Sequence, residues 1–287
     1  MKLRLSLTTL FTIAIAASET PELRTAASLY VSGDLNAALK RTDAFLERAP
    51  ADLEAQRLRG IILVELARYS EGAAQIEKLG EPTDATARYN LALASLYLGR
   101  QDFASVAARL EREPAAQPLQ RMLRGHELLK AGRPLDAAAE LAVAARMDAE
   151  LPRVHYWLGF AYLLADRCRE ARTAFEQELS RSTSHVPTLY YLAFIENGSL
   201  YLDRAQEHID RAIVLSPGSI PARMLQADIL FKRGQTAEAL PIAQAIVTKD
   251  PFDPEKRSLL ARIYQRLGRA GDAAREFSAM ERLKAER

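Results

Sequence analysis

The stretch "VHYWLGFAYLL", Val154–Leu164, is apolar or aromatic at every position except His155. It is too short to cross a bilayer, which takes roughly 20 apolar residues in a helix. At about 100° per residue, its side chains fall on three separate stripes of a helix. A helix that is apolar on all sides is normally buried. The stretch therefore predicts a helix that packs against other helices on more than one face.

Small residues recur around this helix with a period of about 34 residues, which is typical of helical repeat proteins. One series starts at Gly125 and a second starts twelve residues later, at Ala137. The paired small residues predict two helices that cross closely in every repeat. The two series are Gly125, Gly159, Ala193, Ala227 and Ala261, and Ala137, Ala171, Ala205, Ala239 and Ala273. Similar pairs occur upstream with less regular spacing at Ala26/Ala38, Gly60/Gly72 and Ala92/Ala104.

These positions resemble the tetratricopeptide repeat, a unit of two helices with the pattern W-x2-L-G-x2-Y, then A-x3-F, then Pro. The segment "LGFAYLLADRCREARTAF" supplies Leu158, Gly159, Tyr162, Ala171 and Phe175 at that spacing. The terminal proline is present at Pro50, Pro217 and Pro251.

The resemblance implies an all-α protein, a right-handed α-solenoid of about eight repeats in which each unit contacts its neighbours. The repeats start near residues 19, 53, 85, 118, 152, 186, 220 and 254, and cover residues 19–287 without an internal domain boundary. Glycines are expected at the left-handed turn inside each unit. They are Gly33, Gly99, Gly132, Gly234 and Gly268. The sixth unit has Leu200 at this position, and Asn197-Gly198 is expected to end its first helix early.

The N-terminal stretch "MKLRLSLTTLFTIAIAASET" differs from the repeats. Two basic residues precede an uncharged run and a group of small residues, the order of a secretory signal peptide. Residues 1–18 are therefore predicted to be a signal peptide that is cleaved near Ala16–Ser18, which makes the mature chain a periplasmic or secreted bacterial protein. The single cysteine, Cys168, excludes an intramolecular disulfide.

A third stripe of the quoted helix, Tyr156, Phe160 and Leu163, is not explained by the helix partner or the next repeat. In the family that the chain resembles, this stripe lines a concave groove where ligands bind. A contiguous apolar surface normally marks an interaction site. The predicted ligand-binding residues are Tyr89, Leu93, Leu96, Met122, His126, Leu129, Tyr156, Phe160, Leu163, Tyr190, Phe194 and Asn197.

Catalytic and nucleic-acid-binding patterns are not found in the sequence. The net charge is +2, and basic residues alternate with acidic ones instead of forming a block. The four histidines lack metal-ligand spacing, and no phosphate-binding glycine loop is present. We therefore expect no enzyme activity, no cofactor, no metal and no nucleic-acid partner. Acidic side chains are expected on solvated outer faces beside arginines.

The sequence favours a protein-interaction scaffold that binds another protein, or a peptide segment of one, in an apolar groove. The resemblance to exported bacterial repeat proteins suggests assembly of an envelope or secreted complex. A second hypothesis is a structural module whose groove is closed by self-packing or by a homodimer. A third, an RNA-binding repeat, is disfavoured by the signal peptide and by the apolar stripe. Stable membrane insertion is not expected.

Overall fold

The computed structural model describes residues 20–82, 84–112 and 114–285, and these residues are helical, without a strand. The predicted signal peptide, residues 1–18, lies outside the described residues. The first helices of the eight pairs begin at residues 21, 53, 85, 117, 154, 186, 220 and 254. The chain divides into two compact units after His185. We call repeats 1–5 the N-terminal unit and repeats 6–8 the C-terminal unit. The repeat spacing alone predicts one unbroken solenoid, so this division differs from the expectation.

Each repeat is a pair of antiparallel helices. In the N-terminal unit the pairs are α1 (Pro21–Ser32) and α2 (Leu35–Leu46), α3 (Leu53–Glu65) and α4 (Tyr69–Lys78), α5 (Ala85–Leu98) and α6 (Phe103–Glu111), α7 (Gln117–Lys130) and α8 (Pro134–Met147), and α9 (Val154–Leu164) and α10 (Cys168–Arg181). In the C-terminal unit they are α11 (Val186–Gly198) and α12 (Leu202–Leu215), α13 (Ile220–Lys232) and α14 (Thr236–Lys249), and α15 (Pro254–Arg266) and α16 (Ala270–Ala285).

Helix ends follow local chemistry. Asp52 accepts a hydrogen bond from the Ala55 backbone N–H at 2.8 Å, and Asp84 caps α5 in the same way through Ala87. Such caps satisfy N–H groups that have no partner within the helix. The five predicted turn glycines all have positive φ, between 67° and 88°. The prediction of a left-handed turn inside these repeats is confirmed.

The small residues lie where the two helices of a repeat cross. A Cβ atom on Gly159 would lie 2.7 Å from the ring of Phe175, and one on Gly72 would lie 2.6 Å from the Val64 side chain. Ala171 is fully buried at the same kind of crossing. Larger side chains would force the helices apart, which explains the 34-residue recurrence of small side chains.

The sixth repeat corrects one expectation. Helix α11 ends at Gly198, which is the position equivalent to the ends of α13 and α15, so Asn197-Gly198 does not shorten it. The left-handed turn residue is Leu200, with φ 62°. The prediction was wrong because a leucine takes the conformation that glycine takes in repeats 1, 3, 4, 7 and 8, at a conformational cost.

We expect Leu200→Gly to raise the free energy of unfolding of the C-terminal unit by about 1 kcal/mol, because a left-handed conformation costs an L-residue roughly 1–2 kcal/mol. The Leu200 side chain is 68% exposed, so its removal loses little packing. The matched control is Gly234→Leu at the equivalent turn, which should lower stability by a similar amount. Urea denaturation followed by circular dichroism measures both variants. Lower stability of Leu200→Gly would contradict the strain.

Candidate functional site

The predicted binding stripe has a different environment in each unit. Repeats 3 and 4 bury most of it, with Tyr89 6%, Met122 1% and His126 0% exposed. Leu93 and Leu96 are also buried, and Leu129 is half-buried. In these two repeats the stripe is part of the core of the N-terminal unit.

His126 is at the centre of this buried part of the stripe. Its Nε2 atom lies 3.0 Å from the Tyr89 hydroxyl and its Nδ1 atom 3.1 Å from the Tyr97 hydroxyl. Its ring centroid lies 4.3 Å from that of Trp157. Burial lowers the pKa of His126 to about 3, so the imidazole is neutral near pH 7. Both nitrogens lie within hydrogen-bond distance of tyrosines of repeat 3, and the ring contacts Trp157 of repeat 5. The His126 side chain therefore joins three repeats.

The fifth repeat continues this aromatic packing. Tyr156, Phe160 and Leu163 are half-buried. The Tyr156 ring centroid lies 4.8 Å from that of His185 and 6.3 Å from that of Phe160, with which the ring is stacked. The expectation of an open groove along repeats 3–5 is therefore incorrect, because these side chains pack against each other inside the unit.

The N-terminal unit is closed by Arg153, which precedes α9 and has a left-handed backbone with φ 62°. Its Nη2 atom donates to the Tyr30 carbonyl oxygen at 2.6 Å, and its Nε atom lies 3.2 Å from Glu65. Its Nη1 atom donates to Ser182 at 2.6 Å and to Glu178 at 3.3 Å. One guanidinium therefore connects repeats 1, 2 and 5.

Further contacts support this closure. The Ser184 backbone N–H donates to the Ser32 carbonyl oxygen at 2.9 Å. The Tyr30 hydroxyl donates to Glu65 at 2.5 Å, and burial raises the pKa of that carboxyl group. The winding therefore brings the first repeat against the fifth and fills the interior. This closure is a physical reason for the boundary after His185.

Some acidic residues correct another expectation. Glu178 is 2% exposed, and its Oε2 atom accepts from the Tyr156 backbone N–H at 3.3 Å. Glu196 is fully buried and lies 2.7 Å from His208. They are not on solvated outer faces, because each has a buried polar or cationic partner.

The C-terminal unit has an open cleft of about 830 Å³, which we call the C-terminal cleft. Its walls are the first helices of repeats 6–8, and α16 adds two side chains. Its lining includes Tyr190, Phe194 and Asn197 of α11, Met224 and Asp228 of α13, and Arg262 of α15. Phe194 is 49% exposed, whereas Tyr190 and Met224 are half-buried. The three stripe residues predicted in repeat 6 thus line an open surface.

A polar group forms one side of this cleft. The Asp228 carboxylate accepts from Asn197 Nδ2 at 2.8 Å and lies 3.0 Å from Lys232 and 3.7 Å from Arg262. The Asn197 side chain is buried, and its Oδ1 atom accepts no hydrogen bond. The guanidinium of Arg262 is also 5.5 Å from the ring centroid of Phe231. The Asp228 carboxylate is therefore held by one amide N–H and faces two cations.

Sequence reasoning missed Met224 and Asp228. Met224 lies 34 residues after Tyr190, and Asp228 lies 34 residues after Phe194. The signal was therefore present in the period. An aspartate in an otherwise apolar stripe does not reveal that an asparagine and two cations surround it.

Two tetratricopeptide-repeat family models match the chain, one over residues 122–187 and one over residues 202–263. Together with the repeated helix pairs, these matches show that the chain belongs to the tetratricopeptide-repeat family. No curated protein matches the chain by sequence.

Solved structures with the same fold include MamA 41-end from Desulfovibrio magneticus RS-1, which is 19% identical with a TM-score of 0.56 over 60% of this chain and 97% of that one. YrrB, described as a TPR protein with an unusual peptide-binding site, is 18% identical with a TM-score of 0.55 over 62% and 92%. The APC/C hetero-tetramer Cut9-Hcn1 is 14% identical with a TM-score of 0.70 over 96% of this chain and 56% of that one. At these identities the likeness concerns the fold.

The described residues contain neither a candidate metal centre nor a helix that could span a membrane. No cluster of three or more histidine, cysteine, aspartate or glutamate side chains could hold a metal ion there. Among the helices of residues 20–82, 84–112 and 114–285, none has the length and apolarity needed to span a bilayer.

Proposed function

We propose that this protein is a non-enzymatic interaction scaffold that binds a segment of a partner protein in the C-terminal cleft. The observation that carries the proposal is the exposed Phe194 side chain beside Met224 in an open cleft of about 830 Å³. Ligand sites are concave and largely apolar, with a few well-placed polar groups. The C-terminal cleft combines apolar side chains of α11 and α13 with charged side chains of α15.

The polar side of the cleft suggests how a segment is held. The Arg262 side chain is 45% exposed beside Asp228, and its guanidinium can donate to a backbone carbonyl oxygen of a bound segment. Apolar side chains of the segment then pack against Phe194 and Met224.

The family and the fold neighbours support a protein-binding role. YrrB, of the same fold, is described as having a peptide-binding site. For repeats 1–5 the burial of His126 and Met122 favours the self-packed alternative, so we assign that unit a structural role. A homodimer remains an alternative occupant of the cleft, and the exposed apolar wall gives no support to RNA binding.

We expect Phe194→Glu to abolish partner binding while unfolding changes by about 0.5 kcal/mol or less, as for other exposed positions. An aromatic anchor commonly contributes 2 kcal/mol or more, which is roughly a 30-fold loss of affinity. A photo-crosslinking amino acid at position 194 should capture a discrete partner in the native host, and the affinity for that partner is then measured for Phe194→Glu.

Leu135, which is 56% exposed in the N-terminal unit, provides the control. A crosslinker at position 135 should not capture the same partner, and Leu135→Glu should bind normally. Capture at 194 of a second copy of this chain would favour the homodimer. Full partner binding by folded Phe194→Glu would remove the cleft from consideration.

Export and a role in assembling an envelope or secreted complex are further proposals, and they rest on the sequence of residues 1–18. N-terminal sequencing of the protein from its own host tests the first. A mature chain that starts between Ala17 and Glu19 supports export, whereas an intact Met1 in the cytoplasmic fraction contradicts it.

A further inference from the structure

A second, smaller pocket lies between α13 and α14, on different side chains from those that form the proposed binding wall. Its volume is about 340 Å³, near the lower end of the range for ligand pockets. Ile220, Ile242 and Ile246 supply apolar lining, and Pro217 lies in the preceding turn. We call it the α13–α14 pocket. Ile220 is shared with the C-terminal cleft.

The charged side chains that line the α13–α14 pocket are both positive. Arg223 and Lys249 are its ionisable lining residues, and no carboxylate lines it. Within the part of the chain that the structure describes, neither side chain forms an ion pair, and the Arg223 guanidinium donates only to the Gln226 amide oxygen at 3.3 Å. The nearby Asp210 on α12 accepts from Gln206 and Gln226. By contrast, the cations that line the C-terminal cleft, Lys256, Arg262 and Lys284, each form an ion pair.

Two large, exposed apolar side chains lie close in sequence to the lining residues of this pocket. Val214 is 79% exposed and lies three residues before Pro217. Phe252 is 73% exposed and lies three residues after Lys249. Neither side chain lines the pocket itself, but both leave apolar surface exposed in the segments that precede α13 and follow α14.

We propose that the α13–α14 pocket docks an acidic segment of a partner protein, with about one or two bulky apolar side chains flanked by aspartate or glutamate. The isoleucines receive the apolar side chains, and Arg223 and Lys249 meet the carboxylates. Complementary charge adds specificity and speeds association. The pocket is thus a second docking site beyond the C-terminal cleft.

The test is fluorescence anisotropy of the full chain with three labelled peptides at low ionic strength. The peptide GSEELFEEGS carries both features, GSKKLFKKGS reverses the charge, and GSEESSEEGS lacks the apolar pair. We expect the first peptide to bind at least tenfold more tightly than the other two. Equal binding of the acidic and basic peptides, or no binding of the acidic one, would overturn the proposal.

Substitutions in the α13–α14 pocket test whether the acidic peptide binds there. Arg223→Glu with Lys249→Glu should weaken binding of the acidic peptide at least tenfold, and Ala245→Trp should weaken it by filling the pocket without a charge change. The matched control replaces Arg24 and Lys40, two exposed cations of the N-terminal unit without an ion pair, by glutamate, and should bind normally.

Phe194→Glu distinguishes peptide binding in the α13–α14 pocket from peptide binding in the C-terminal cleft. It should leave binding of the acidic peptide unchanged. Loss with Phe194→Glu, but not with the pocket variants, would assign the peptide to the cleft and overturn the pocket. Circular dichroism of each variant confirms that it is folded.

Discussion

Arg153→Met is expected to destabilise the N-terminal unit by about 3–5 kcal/mol, the range for breaking one side of a buried ion pair. Methionine keeps much of the side-chain volume but removes the charge that Glu65 and Glu178 face. Arg153 is 5% exposed and Glu178 2%, so water cannot replace the lost partner. The Tyr30 carbonyl oxygen also loses its donor.

The only tryptophan, Trp157, lies in the N-terminal unit and reports its unfolding by fluorescence in urea. The control is Arg121→Met, which breaks an ion pair with Glu140 in which the arginine side chain is 50% exposed. It should cost less than about 1 kcal/mol, because solvent-exposed pairs contribute little. If both variants had the same small effect, Arg153 would not close the unit.

Lowering the pH should decrease the free energy of unfolding of the N-terminal unit, because His126 is buried in its neutral form. Its folded-state pKa is about 3, whereas an unfolded histidine has a pKa near 6.5. The unfolded chain therefore binds a proton at a pH where the folded chain does not. The stability from this neutral side chain is present above pH 6.5 and is lost as the pH falls towards 3. Between pH 7 and pH 5 the expected loss is about 2 kcal/mol.

Other buried groups contribute as well. Burial lowers the pKa of His185 well below its usual value, and Arg153 lowers it further, so His185 acts in the same direction. Burial raises the pKa of Glu65, which opposes the effect in acid. His126→Gln isolates the histidine, because an amide can both donate to and accept from the two tyrosines.

The measurement is urea denaturation at pH 5, 6 and 7, followed by Trp157 fluorescence. His126→Gln should flatten the pH dependence of the unfolding free energy by about 2 kcal/mol over this interval. The absolute stability of the variant at pH 7 does not enter the comparison. An unchanged slope would mean that His126 is protonated in the folded state or reaches solvent.

Much of the fold could be predicted from local spacing. Gly159 and Ala171 mark a helix crossing twelve residues apart, and the contact with Phe175 follows from that geometry. Turn glycines such as Gly234 follow from the left-handed conformation that ends a helix. The left-handed turn at Leu200 could not be predicted, because its neighbours Asn197 and Gly198 carry a stronger helix-ending signal than a leucine does.

The binding stripe shows where sequence reasoning stops. Tyr156 and Phe160 in repeat 5 have nearly the same chemistry as Tyr190 and Phe194 in repeat 6, at the same repeat positions. The first pair packs inside the N-terminal unit, whereas Phe194 faces an open cleft. Identical patterns thus have different exposure, and a pattern cannot distinguish them.

The sequence by itself determined the helix pairs, their register and the apolar stripe, because these depend on residues within about one repeat of each other. The tertiary structure decided which part of the stripe is buried. That outcome depends on small rotations that add up over five repeats and bring Arg153 to Glu65 and Tyr30, 88 and 123 residues away in the chain. No local pattern encodes such a sum, so the closure of the N-terminal unit and the open C-terminal cleft become visible only in three dimensions.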